Sequence, residues 1–426
     1  MLLFRAILLF LIIFNFNVPI FVYSSFLSVA LALGYYLYAY KSIPFYYFYT
    51  KHIVVILFVL SLLCILSYLI TSHYKVFDVN VTKVFLLQLV MMACLIFVMP
   101  AIIRNSESKA FETALTVVCA AFAIQGSIQL LGFLYQPAAN FLLSLRTDDL
   151  INRLEMGGYF FRGYSLSGSP FFELPAGFGV SFICFFRLML IKNRAHFNGI
   201  RAYVIFFLLL LGSAFSGRTA FTGLVFGVSF YFLSSMSVKT AFKAVTTTAV
   251  FTVFLTVVYT FILNDSQRKF LITDVFPFAF EFFYRYEAEG VMRTDSSDML
   301  IESFYYMPDM DVFLWGSGRY NNNDGTYYGH TDAGYMRSLL FGGIFYSIAL
   351  LIYQLCFFIN PISEARSKGI GSRKDSLFML VLFVHILVVN YKGEALGRMN
   401  IMQVLMLFIT STYIINAFKK ETEVLA

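Results

Sequence analysis

Apolar runs of about eighteen residues or more recur along the whole chain, separated for the most part by short polar connections. Each is long enough to cross a bilayer as a helix. The pattern predicts twelve helices, over 5–22, 24–40, 53–71, 83–103, 112–134, 173–191, 202–214, 218–234, 244–263, 332–358, 376–391 and 399–418. Asn15, Asn17 and Pro19 interrupt the first run, and the short seventh helix forms a tight hairpin with the eighth at "FSGRT". The expected fold is an all-α polytopic membrane protein, a single integral membrane domain over 1–426 with about twelve transmembrane helices. Two segments break the pattern, 135–172 and 264–331, both polar and rich in aromatic residues. Loops of that length are usually functional or disordered, and this composition predicts ordered caps over the membrane domain. Within the second, "SSDMLIESFYYM" (296–307) predicts a short amphipathic helix opening at a serine cap.

Composition agrees with the pattern. The chain is 59% hydrophobic and 13% charged, with a mean hydropathy of +0.76, where soluble proteins carry about 25% charged residues. Ala30-Leu31-Ala32 has the form of a cleavage site, but apolar sequence continues across it, so the first helix is expected to be retained. All five cysteines fall in apolar segments and read as packing residues. The net charge of +7 acquires meaning only when divided by side. With the N-terminus cytoplasmic, Arg5, five connections and the tail from 419 hold sixteen lysines and arginines on that side. The short turns opposite, 72–82 and 392–398, hold only Lys75, Lys392 and Arg398, with Lys83 at the edge. This excess predicts both termini inside and both long loops outside. The basic balance belongs to orientation, and no nucleic-acid partner is read from it.

The candidate chemistry gathers on the outer side. Arg218 lies at the turn of "GSAFSGRTAFTGLVFG" (212–227), where Ser216 and Gly217 can cap and turn the chain into the next helix. A helix N-terminus with an arginine fork suits a phosphate or pyrophosphate, and a snorkelling surface arginine has the same sequence. Gly223-x-x-x-Gly227 permits close helix contact. The first loop supplies Arg146, Arg153 and Arg162, each readable as a ligand or as a solvated loop residue, and Glu173 stands at the membrane edge. The second loop ends in "GSGRYNNNDGTYYGHTDAGYMR", which offers Arg319, Tyr327, Tyr328, His330, Asp332, Tyr335 and Arg337. Hydrogen-bonding groups beside aromatic faces suit a sugar. His330 can act as a general base near neutral pH, and Asp332 can equally serve as the N-cap of the tenth helix. A P-loop, a paired carboxylate motif and a cysteine–histidine metal cluster are all missing from the sequence, so no metal or cofactor is expected.

With these features the chain resembles the O-antigen polymerase (Wzy-type) family and is similar in plan to the O-antigen ligases. The resemblance rests on the helix count, the two enlarged loops, "SGR" before a mid-chain helix, and the arginine-bearing run into "GYSLSGSP". "HTDAGYMRSLLFGGI" resembles the family pattern TD-x-GY-x-R-x-L-x-x-GG. Arg146-x10-Gly157 matches the R-x10-G pattern of some first loops, while the second loop has only Arg319-x9-Gly329. The resemblance implies a glycosyltransferase of lipopolysaccharide and polysaccharide biosynthesis in the bacterial inner membrane, with both loops periplasmic. Its substrate would be undecaprenyl-diphosphate-linked oligosaccharide, its surroundings membrane lipid, and its partner a chain-length regulator protein. Arg218, Arg146, Arg153, Arg162, Arg319 and Arg337 would hold the diphosphate. His330 or Asp332 would be catalytic, and Tyr327, Tyr328 and Tyr335 would contact glycan. The alternatives are an O-antigen ligase and, in another class, a lipid-linked oligosaccharide flippase.

Overall fold

Long unbroken stretches of Leu, Ile, Phe and Val have no polar side chains to meet the backbone, and a helix pairs its N–H and C=O groups within the segment, so helices dominate. The computed structural model describes residues 1–18, 20–39, 50–76, 78–104, 106, 109–146, 151–152, 154, 160–169, 171–191, 199–235, 258–322, 326–367 and 372–425. The first helices are α1 (Leu2–Phe14), α2 (Ser24–Ala39), α3 (Lys51–His73), α4 (Asn80–Ile103) and α5 (Ala110–Leu134). They are followed by α6 (Gln136–Ser144), α7 (Glu173–Met189), α8 (Ile200–Ser216) and α9 (Thr219–Ser234). Short helices come next: α10 (Asp265–Phe270), α11 (Phe276–Ala279), α12 (Glu281–Glu289), α13 (Asp295–Met299) and α14 (Met310–Trp315). The chain closes with α15 (Gly334–Ser367), α16 (Arg373–Lys392) and α17 (Asn400–Leu425). Among the described residues, six helices are long and apolar enough to cross a membrane: α3, α4, α5, α15, α16 and α17 over Asn400–Phe418. The protein is a helical membrane protein.

Several boundaries differ from the expectation. The first helix ends at Phe14 rather than 22, because Asn15 takes a left-handed conformation (φ 34°) that asparagine tolerates. A small antiparallel hairpin, β1 (Asn17–Val18) and β2 (Val22–Tyr23), then carries the chain to α2. The first long loop contains α6, which the sequence reading left unassigned. The expected helix over 244–263 falls mostly outside the described residues. The helix expected over 296–307 starts one residue early, at Asp295, and is capped by Thr294 rather than a serine. The Thr294 hydroxyl accepts from the Ser297 N–H, and the Ser297 hydroxyl returns to the Thr294 N–H.

Contacts group the chain into two compact units, one of Met1–Phe10, Phe14–Ser24 and Leu115–Met292, the other of Leu11–Ile13, Ser25–Ala114 and Arg293–Ala426. In the first, α7 and α9 touch backbone to backbone. A Cβ built on Gly223 would lie 2.2 Å from the Gly179 Cα, so only glycine allows this approach. A hydrophobic cluster of Phe161, Phe215 and Val275, with the rings of Phe133, Phe270 and Phe278 packed on it, seats α10 and α11.

In the second unit the long helices carry paired polar side chains in an apolar setting. Tyr353 donates to Gln88 at 3.3 Å, and Gln403 donates to Gln354 at 2.9 Å, which satisfies part of their hydrogen-bonding capacity where water is scarce. The longest helix, α15, is interrupted at Gly343, whose φ of 72° and ψ of −171° lie outside helical space. The carbonyls this break leaves open are taken up by a loop. Ser317 N–H donates to Leu340 O at 2.8 Å and Gly318 N–H to Phe341 O at 2.9 Å. The segment before the break, 334–342, is therefore a short half-helix bound to "GSG" (316–318), and it carries Arg337.

Candidate functional site

The arginines of the first unit engage the protein itself. Arg146 follows α6, and its guanidinium donates to the Ser167 carbonyl, to Ser165 Oγ at 3.3 Å and to the Gly163 carbonyl at 3.5 Å. Burial lowers its pKa to about 10, which still leaves it cationic at neutral pH. It gathers the turn 163–167 around one cation. Arg162 sits in the 3-10 turn Phe160–Tyr164 and donates to the Phe171 carbonyl. Its guanidinium lies over the Phe171 ring at 5.3 Å and over Phe278 at 5.6 Å. Arg218, expected from the sequence to open the helix, occupies the N-cap position of α9, which starts one residue later at Thr219, and it pairs with Glu281. It lies 5.4 Å from the Phe278 centroid, so Arg162 and Arg218 meet at one ring. Arg153 falls outside the described residues.

The second unit brings together most of the motif that closes the second loop. Residues 316–322 and 326–330 pair with one another. Asn321 bridges Tyr327, Tyr328 N–H donates to Tyr320 O at 3.1 Å, and Asn322 Nδ2 donates to Tyr327 O at 3.1 Å. Asp78 fastens its base, accepting from the N–H groups of Tyr320 and Asn321 at 2.9 and 2.8 Å. Arg337 is sandwiched between two phenol rings, 3.7 Å from the Tyr320 centroid and 3.5 Å from that of Tyr327. Its Nη1 lies 3.5 Å from Glu394 Oε2. Arg398 donates to both Glu394 oxygens at 2.6 and 2.8 Å, and Tyr320 Oη donates to the same carboxylate at 2.5 Å.

The side chains of Arg337, Glu394 and Arg398 are 6%, 11% and 7% exposed, so this carboxylate is buried between two cations. Burial by itself raises the Glu394 pKa. Arg337, Arg398 and the Tyr320 hydrogen bond outweigh it and leave the carboxyl below its ordinary value. Burial pushes the Tyr320 phenol well up, so it stays a donor.

This clamp holds one wall of a pocket of about 420 Å³ lined by Tyr306, Met307, Pro308, Asp309, Val312, Asn322, Tyr328, Gly329, His330 and Leu340. Its hydrophobic floor continues into a cluster of Leu300, Ala333, Met336 and Leu340. Two consecutive left-handed residues, Gly329 (φ 72°) and His330 (φ 51°), form the rim. Glycine takes that conformation freely, but histidine does so at a cost of order 1–3 kcal/mol. Strain of this kind concentrates at binding and catalytic positions, and His330 is exposed on the pocket wall.

The tyrosines expected to bind glycan divide. Tyr328 lines the pocket, Tyr327 stacks on Arg337, and Tyr335 braces α15 by donating to the Leu387 carbonyl at 2.9 Å. Arg319 is exposed on the folded segment. Asp332 is exposed as well, and the hydroxyl that turns the chain into α15 belongs to Thr331, which accepts from the Ala333 N–H at 3.1 Å. The protein crowded around Asp332 raises its pKa and Glu394 adds to this, against the lowering by Arg337 and Lys392.

The sequence leaves unannounced Glu394, Tyr320, Asp78 and the pocket residues Tyr306, Met307, Pro308, Asp309 and Val312, and points to Arg398 only for orientation. One signal was available: "GEALGR" (393–398) sets a glutamate and an arginine four apart in a short turn between apolar helices. No protein-family model, no curated protein and no solved structure matches this chain.

Proposed function

We propose that the chain is a polysaccharide polymerase of the O-antigen type, joining undecaprenyl-diphosphate-linked oligosaccharide units at the periplasmic face of the bacterial inner membrane. In this reading about twelve helices span the bilayer, both termini are cytoplasmic, and 135–172 and 264–331 are the periplasmic loops. The observation that carries it is the pocket of the second unit, where a strained histidine stands beside two tyrosine rings, an amide and a carboxylate. Rings that stack on C–H faces and polar groups that meet hydroxyls are what a sugar needs, and a histidine at the rim is placed to accept a proton.

The reaction follows from those parts. A hydroxyl of the acceptor glycan attacks the anomeric carbon of the donor. The new C–O bond forms as the bond to the lipid diphosphate breaks, and the proton passes to an imidazole nitrogen of His330. The diphosphate leaves as an anion already suited to the task, so the reaction requires no nucleotide. Arg319, exposed on the segment that bears Asn322 and Tyr328, is the cation of this unit assigned to the departing charge. Arg337 and Tyr327 are assigned to holding that segment. Within the first unit, Arg162 and Arg218 are assigned to a phosphate-bearing headgroup, which would replace Glu281 as the partner of Arg218.

A second reading, the lipid-linked oligosaccharide flippase, draws on one observation, the interruption of α15 at Gly343, since transporters also use broken helices. A glycan gel from a strain lacking this gene, with and without the gene restored, separates the readings. Single repeat units that become a ladder on restoration support the polymerase. A bare core with long glycan still on its carrier lipid means ligase. A bare core with lipid-linked units held on the cytoplasmic face means flippase.

A further inference from the structure

The pocket of the second unit has a chemical bias that the glycan reading leaves open. Its walls divide by character. Met307, Pro308, Val312 and Leu340 give an apolar side, and Tyr306 and Tyr328 give ring faces. The Tyr306 hydroxyl reaches the Gly329 carbonyl at 3.4 Å and closes that end against the histidine rim. The polar groups are Asn322, His330 and the carboxylate of Asp309, and among the described residues neither lysine nor arginine lines the pocket. The neighbouring cations of the clamp face other partners: Arg337 is stacked between Tyr320 and Tyr327, and Arg398 is held by Glu394. An anionic ligand in this space would meet a like charge with no counter-charge on the walls. Four apolar side chains are more apolar surface than the C–H faces of a sugar that bears only hydroxyls would cover.

We propose that this pocket selects an uncharged sugar with an apolar substituent, such as a 6-deoxyhexose or an N-acetylated hexosamine, and rejects acidic sugars through Asp309. The inference rests on the glycan reading given above and adds the class of sugar. At about 420 Å³ the pocket is near the lower end of ligand-site volumes, which suits the terminal residue of a chain rather than a whole repeat unit. The substituent lies against Met307, Val312 and Leu340, the ring against Tyr328, and the hydroxyls reach Asn322 and His330. Specificity is then set as much by the repulsive group as by the attractive ones.

The test is saturation-transfer NMR on the full-length protein in detergent, with the methyl glycosides of N-acetylglucosamine, fucose, glucose and glucuronic acid as probes. The expected signals are strong for the first two, centred on their methyl protons, weaker for glucose, and about tenfold or more below the first two for glucuronic acid. Tyr328→Ala should remove the signals. Asp309→Asn, at an exposed position, should raise the glucuronic acid signal relative to those of the neutral sugars. If glucuronic acid binds the unaltered protein as well as the neutral sugars do, in a Tyr328-dependent way, the charge selection is wrong and the glycan reading survives. Equal signals from glucose and N-acetylglucosamine would overturn the apolar-substituent half. If no sugar gives a Tyr328-dependent signal from a protein that remains monodisperse, the glycan reading of the pocket falls too.

Discussion

Glu394 accepts from Tyr320 and pairs with Arg337 and Arg398 at once, so removing its charge leaves two buried guanidiniums without compensation. Glu394→Gln should cost about 3–5 kcal/mol, read as a lowered midpoint in detergent thermal melts. The pH dependence follows from the sign of the shift. A carboxyl depressed in the folded state stabilises fully above its unfolded value and loses that contribution as pH falls through the folded one. The unaltered protein should therefore lose stability on acidification below about pH 4, and Glu394→Gln should lose less. Asp332 is shifted the other way: its contribution grows as pH falls, so Asp332→Asn separates the two. For His330, substitution by alanine should lower polymer formation by about 10²–10⁴-fold with little change in the melting midpoint, and an undiminished ladder would remove it as the base. His330 and Tyr328 could be read from sequence because polar and aromatic residues crowd one short stretch. Glu394 could not, since it meets Arg337 across 57 residues of chain, and nothing local announces the pairing.

Helices α7 and α9 meet where two glycines coincide, and α15 breaks where a third allows it. In Gly223→Ala the new methyl would stand 2.2 Å from the Gly179 Cα, forcing the helices apart at about 1–3 kcal/mol. Gly343→Ala adds a left-handed φ to a Cβ only 2.2 Å from the Leu314 carbonyl oxygen, and should cost at least as much. Gly34→Ala, with nothing within 4 Å, is the neutral control in the same melts. The positions of most helices were legible from hydrophobic length alone, and Gly223-x-x-x-Gly227 was read correctly as a close contact. The break at Gly343 was hidden because "LLFGGIFY" is apolar on both sides of it. What stabilises the break is a hydrogen bond from Ser317 and another from Gly318, and those partners lie in the loop, more than twenty residues upstream.

At the scale of the whole chain, the uneven distribution of lysine and arginine makes orientation testable without reference to catalysis. Thr326→Cys, on the second long loop, should react with an impermeant maleimide in intact inner-membrane spheroplasts. Lys374→Cys, exposed in the first turn of α16, should react only after the membrane is opened. The background is favourable, because four of the five native cysteines are buried and the fifth is half-buried. Labelling of both sites from outside would overturn the assigned topology. Helical membrane character was plain in the composition, since no other class combines 59% apolar residues with repeated long runs. The grouping into two units was not, because the second unit joins 25–114 to 293–426 across an insertion, and hydropathy carries no record of which helices touch.

The clamp also sets an order of manufacture. Arg337 emerges from the ribosome 57 residues before Glu394, which at about 5–20 residues per second is a wait of about 3–11 s. Through that interval the half-helix that bears it has its tyrosine rings and the exposed Asp332 beside it, but not the buried carboxylate that its guanidinium pairs with in the finished clamp. The clamp on Arg337 is complete only when the turn between α16 and α17, which carries Glu394 and Arg398, arrives beside it. Nascent chains that stall before residue 394 should accordingly be the ones membrane quality-control proteases remove first.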